Sequence, residues 1–100
     1  MSLHVQIDKE RIKEFCQKWK IAEFAIFGSA LREDFSVASD VDVLITFLNE
    51  ADWSLMDWID MIDELQLIFG RKVDLVSKEG LRNPFRRHEI LRTCEVVYAA

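Results

Sequence analysis

The stretch FGSALREDFSVASDVDVLITFL, residues 27–48, decides how this chain is read. Its second half, Val41 to Leu48, is rich in branched and aromatic residues and predicts a buried strand. Residues two apart on a strand share a face, so Asp40 and Asp42 project together while Val41 and Val43 point to the opposite, apolar side. Two carboxylates side by side raise each other's cost of ionisation, and a fold keeps such a pair most often for a divalent cation. Magnesium is the natural choice, since it takes oxygen ligands, keeps several waters and shares substrate phosphates. The first half opens on Gly28-Ser29, where the short apolar strand Ala22 to Phe27 ends and a short helix Ala30 to Glu33 begins. A glycine there lets backbone approach a phosphate closely, and the N–H groups opening the helix, with the Ser29 hydroxyl, suit a triphosphate tail. Arg32, about one helical turn on, reaches toward the same anion.

Working outward, Asp8 reads as the N-cap of a helix from about Lys9 to Trp19, with Ile12, Phe15, Cys16 and Trp19 as its inward stripe. Downstream, Leu55, Met56, Ile59, Ile62 and Leu65 to Phe69 recur near a 3.6 period and predict a helix from about Trp53 to Phe69. Asp52 or Ser54 caps its start, and Gly70 stops it. A strand Lys72 to Ser77, a short helix Pro84 to Arg92 and an edge strand Thr93 to Tyr98 complete the order αβαβαβαβ. That order predicts α and β layers, one sheet with helices packed on it, in a single domain over residues 1–100.

Asp74 is the third acidic residue of interest. It interrupts Val73-Asp74-Leu75-Val76, where a parallel core strand prefers an apolar side chain. On a strand beside Asp40 and Asp42 it completes a set of three carboxylates, suited to two metals about 3.5–4 Å apart that clamp an in-line phosphoryl displacement. It serves there as a ligand or as the general base. Each piece alone has an ordinary reading: Gly-Ser as a turn, Asp40 as a cap, Asp74 as the ion-pair partner of Arg71 or Lys72. Their order along the chain joins them.

Composition excludes several classes. The chain has 100 residues, half of them apolar, and a formal net charge of −5, which disfavours nonspecific binding to nucleic acid. Acid concentrates in Glu50 to Glu64, and Arg82, Arg86, Arg87 and Arg92 make the C-terminal segment basic. Cys16 and Cys94 form no CxxC pair and read as buried free thiols in a reducing, cytoplasmic setting. No signal peptide or membrane span is expected. His4 and His88 read as surface residues, and Trp19, Trp53 and Trp58 as core or interface.

Glycine, serine, about ten residues and then Asp-x-Asp in a strand resembles the signature of the DNA polymerase beta-like nucleotidyltransferases. GRKVDLVS, carrying Asp74, resembles the family's third acidic strand, and EILRTCEVVYAA the end of its minimal branch, often called MNT. Arg32 matches a frequent arginine of that branch, whereas Glu33 stands where glycine is common. The resemblance implies an α+β fold of the polymerase beta palm type, a mixed sheet flanked by helices. It also implies two magnesium ions held by Asp40, Asp42 and Asp74, and ATP held by Gly28, Ser29 and Arg32. It further implies a partner, since minimal members lack an acceptor-binding domain and are commonly encoded beside an all-helical HEPN protein, with which an oligomer or hetero-oligomer is expected. The function implied is transfer of AMP to a tyrosine of a HEPN ribonuclease toxin, which makes the chain an antitoxin. The alternatives are transfer to a small molecule such as an aminoglycoside with help from a partner subunit, and a noncatalytic antitoxin that acts by occlusion.

Overall fold

The computed structural model describes residues 8–28, 40–49 and 52–100. The expected helix Ala30 to Glu33 lies outside these residues.

Helix α1, Lys9–Lys18, begins where the Asp8 carboxylate accepts from the Arg11 backbone N–H at 3.2 Å, as the sequence led us to expect. Its stripe of Ile12, Phe15, Cys16 and Trp19 is buried. Lys20, at φ 54°, turns the chain in the left-handed region into β1, Ile21–Phe27. Strand β2, Val41–Phe47, pairs antiparallel with β1. Helix α2, Leu55–Phe69, starts on a reciprocal capping box between Ser54 and Asp57 and ends at Gly70, whose φ of 70° suits a residue without Cβ. Strand β3, Val73–Ser77, lies parallel to β2, and after a 3-10 turn over Lys78–Gly80 comes α3, Pro84–Thr93. Asn83 caps α3 with Pro84 in its first turn. Strand β4, Glu95–Ala99, returns antiparallel to β1.

The sheet order β3-β2-β1-β4 therefore mixes parallel and antiparallel pairs and puts β4 on an edge, in keeping with the α+β expectation. Alternation along the central strands splits the core in two. Phe24, Ile26, Val41, Val43 and Ile45 face α1 and α2, where Phe24 meets Phe15 edge-on at 6.2 Å and stacks near Phe69 at 6.5 Å. Ala25, Phe27 and Leu44 face the other way and pack with Leu81 and Ile90 under α3.

Four expectations change. Helix α2 begins at Leu55, two residues later than Trp53, because the Ser54 cap holds its own backbone extended. Its buried residues are Met61 and Leu65; Leu55, Met56, Ile59 and Leu67 face solvent, since apolar residues occupy more than one face of this helix. Strand β3 is an edge strand, so Asp74 occupies an exposed position rather than replacing a core residue, and Cys94 is only partly buried.

Candidate functional site

The sheet brings Asp42 and Asp74 into one line, with Gly28 one residue past the end of β1 beside them. Strand pairing sets Phe27 opposite Asp42 and Asp42 opposite Asp74, so the end of β1 and the starts of β2 and β3 lie side by side. A hydrogen bond of 2.9 Å from the Val41 backbone N–H to the Lys72 carbonyl fixes the register at this end. Because Val41, Val43, Val73 and Leu75 turn toward α1 and α2, Asp42 and Asp74 turn to the opposite face. Leu44, Phe27 and Val76 form an apolar floor beside them. Neighbouring strands are about 4.8 Å apart, which makes the two carboxylates close neighbours on one surface. Asp40 precedes β2 by one residue, exposed and in phase with Asp42.

Gly28 completes this end of the sheet. Its φ is 70°, and a Cβ built on it would fall onto Oδ2 of Asp42 and come within 3.1 Å of its Cγ. No L-residue with a side chain fits there without displacing the carboxylate. The sequence suggested glycine for close approach of a phosphate; the geometry adds a second reason, room for Asp42. Spacing alone could not reveal it, since it depends on β1 and β2 being antiparallel neighbours. Ser29 and Arg32, the other expected nucleotide contacts, lie outside the described residues.

Among the described residues, no group of three or more His, Cys, Asp or Glu side chains is gathered closely enough to cage a metal. Magnesium seldom needs such a cage: it is commonly held by one or two carboxylates together with waters and substrate phosphates. The half-buried Asp42, with Asp74 as its register partner and a backbone stripped of Cβ beside it, fits an ion of that kind. No described helix is long and apolar enough to cross a membrane.

Comparison with known proteins identifies the family and the fold. The nucleotidyltransferase domain family matches residues 9–97. The protein adenylyltransferase MntA of Thermococcus cleftensis is 36% identical over 86 residues, which span 86% of this chain and 82% of that protein. A solved structure described as a candidate minimal nucleotidyltransferase is 30% identical, with a TM-score of 0.66 and coverage of 87% of this chain and 86% of its own. The crystal structure of a toxin–antitoxin with AMP-PNP superposes with a TM-score of 0.74 over 94% of this chain and 75% of that one. At 14% identity, that last likeness speaks for the fold alone. With the family matched from α1 to β4, this chain belongs to the nucleotidyltransferase domain family, in its minimal form.

Proposed function

We propose that this chain transfers AMP from ATP to a tyrosine hydroxyl of a HEPN ribonuclease partner and so acts as its antitoxin. The observation that carries the reading is the alignment of Gly28, Asp42 and Asp74 across three adjacent strand ends. The relative named protein adenylyltransferase MntA and the AMP-PNP-bound toxin–antitoxin of the same fold support it.

In this reading Asp40 and Asp42 would hold the magnesium that accompanies the triphosphate, and Asp74, beside Asp42 on β3, would contribute to a second ion. When bound, magnesium neutralises phosphate charge and lowers the pKa of a coordinated hydroxyl. Gly28 gives the triphosphate a backbone surface without a side chain, and the Ser29 hydroxyl and Arg32 guanidinium bind its oxygens. Asp74, on the exposed edge strand, receives the acceptor from solvent and takes the hydroxyl proton. The hydroxyl oxygen bonds to the α-phosphorus as the bond to the bridging oxygen breaks, and pyrophosphate leaves.

The test is incubation with ATP labelled at the α-phosphate, magnesium and a HEPN-domain partner protein. Label should appear on a partner tyrosine, and Asp42→Asn should abolish it. Neutralisation of the ribonuclease without any label would replace transfer with occlusion, and label on a small hydroxyl compound alone would move the acceptor.

A further inference from the structure

The solvent face of α2 is unlike that of an ordinary surface helix. Leu55, Met56 and Leu67 are 75%, 66% and 74% exposed, and Ile59 is exposed beside them. At 100° per residue these four, with Asp60 and Asp63, fall within an arc of about 140°, so they form one continuous stripe. Surface helices normally present polar side chains there, and contiguous exposed apolar area marks interaction sites.

Charge narrows what this stripe fits. No lysine or arginine occurs between Asn49 and Gly70. Asp57 is engaged in the capping box and Glu64 with Lys18 and Trp19, whereas Asp52, Asp60 and Asp63 form no ion pair among the described residues. At the N-terminal end of the same helix lies a cavity of ≈ 400 Å³ lined by Phe47, Trp53, Trp58 and Asp52, together with Ser54 and Leu55. Its walls are held in place, since the Trp53 indole N–H donates to the Trp19 carbonyl at 2.8 Å and Trp58 packs edge-on to Phe47 at 6.5 Å. Aromatic faces beside a carboxylate suit a guanidinium or ammonium group.

An anionic occupant, whether nucleic acid or lipid headgroup, is repelled by these carboxylates over most of the stripe, and Arg11 and Lys18 of α1 stand only at its Leu67 end. A second copy fits poorly as well. The chain's own basic helix, α3, lies across the sheet from α2, so two copies could not engage both faces reciprocally, and two α2 faces set against each other would bring their carboxylates together.

We propose that this face of α2 is the docking surface for a basic amphipathic helix of a partner protein, with one arginine or lysine seated in the aromatic cavity. It deepens the proposed function by naming where the partner is gripped, yet it stands on α2 and not on the carboxylate site. The two are well separated: Phe47 ends β2 some five residues, about 17 Å, from Asp42, and α2 packs on the opposite face of the sheet.

The test uses a synthetic amphipathic helical peptide with leucines on one face and arginines flanking them, and a twin with glutamate for every arginine. Fluorescence anisotropy should show saturable binding of the arginine peptide to the full chain, with a Kd of about 10 μM or tighter. Ile59→Glu, and separately Asp60→Lys with Asp63→Lys, should each weaken it by about tenfold or more. ATP affinity of the same variants, measured by calorimetry, should be unchanged. Equal binding of both peptides, or no effect of the α2 variants, would overturn the proposal. So would light scattering that shows the wild type self-associating and Ile59→Glu abolishing it, since the occupant would then be a second copy. Docking that survives while Asp42→Asn shows no deficit in transfer would sink the catalytic reading alone.

Discussion

Gly28 lacks the one atom that would collide with the Asp42 carboxylate: a Cβ at that position overlaps Oδ2, and the backbone there sits at φ 70°. Two distinct penalties follow for Gly28→Ala. Left-handed backbone costs an L-residue about 1–2 kcal/mol, and the collision forces Asp42 aside. Gly70 separates them, because it shares the φ of 70° yet nothing lies within 4 Å of a Cβ built on it. Gly70→Ala should therefore lower thermal stability through backbone strain and leave transfer intact. Gly28→Ala should lower stability at least as much and cut transfer by about 100-fold, the cost typical of a small misplacement at a reacting centre. Parallel melting curves and transfer assays decide it; equal activity in the two variants would mean Asp42 does not need its present position.

Asp42 and Asp74 face each other across the β2–β3 pair but differ in exposure, and this predicts a division of labour. Asp42→Asn should weaken magnesium-dependent ATP binding and abolish transfer. Asp74→Asn should keep most of the ATP affinity and lose about 10²–10⁴-fold in turnover, the range for a lost proton acceptor. Calorimetry with ATP and single-turnover transfer separate the two. If Asp74→Asn costs as much ATP affinity as Asp42→Asn, both carboxylates belong to the triphosphate ion.

Much of this site is visible in the sequence for local reasons. Alternation along Val41 to Phe47 is enough to put Asp40 and Asp42 on one face, and Asp8, Ser54, Gly70 and Pro84 mark element ends through chemistry confined to a few residues. What stays hidden is set by tertiary pairing. That Gly28 adjoins Asp42 requires β1 to run antiparallel beside β2, and that Asp74 is exposed requires β3 to form the sheet edge. Helix α2 shows a third limit. Its apolar residues cover both the Met61–Leu65 side and the Leu55–Ile59 side, so a 3.6 period identifies the helix without saying which side meets the core.

Burial pushes the Cys16 thiol up from 9.0 to about 12, and its side chain is fully enclosed between α1 and the sheet. The folded state therefore holds its proton more tightly than the unfolded chain. The contribution to stability is complete below pH 9.0 and is lost as pH rises toward 12, with a slope of at most about 1.36 kcal/mol per pH unit from this one group. Chemical denaturation at a series of alkaline pH values should show that decline, and Cys16→Val should flatten it. Native Cys16 should also resist alkylation at pH 8 until the protein unfolds. Rapid modification of Cys16 in the folded state would contradict its enclosure.

Glu64 joins α2 to α1 in two ways whose worth can be told apart. It accepts from the Lys18 ammonium at 3.0 Å and from the Trp19 indole N–H at 3.0 Å. The Lys18 side chain is 60% exposed, and an ion pair so open to water contributes about 0–1 kcal/mol. The Trp19 side is different: that residue is 6% exposed, and an indole N–H left without an acceptor in such a place costs about 1–3 kcal/mol. Glu64→Gln keeps an oxygen for Trp19 while giving up the charge, so it should melt within a few degrees of the wild type. Glu64→Ala removes both and should fall by about 1–3 kcal/mol in denaturant unfolding. Added salt should narrow the gap between wild type and Glu64→Gln but not the gap between the two variants, because screening acts on the exposed charge pair and not on the shielded indole. If Glu64→Gln proved as damaging as Glu64→Ala, the Lys18 pair would be the main tie between the helices, and the Trp19 contact would be incidental to it.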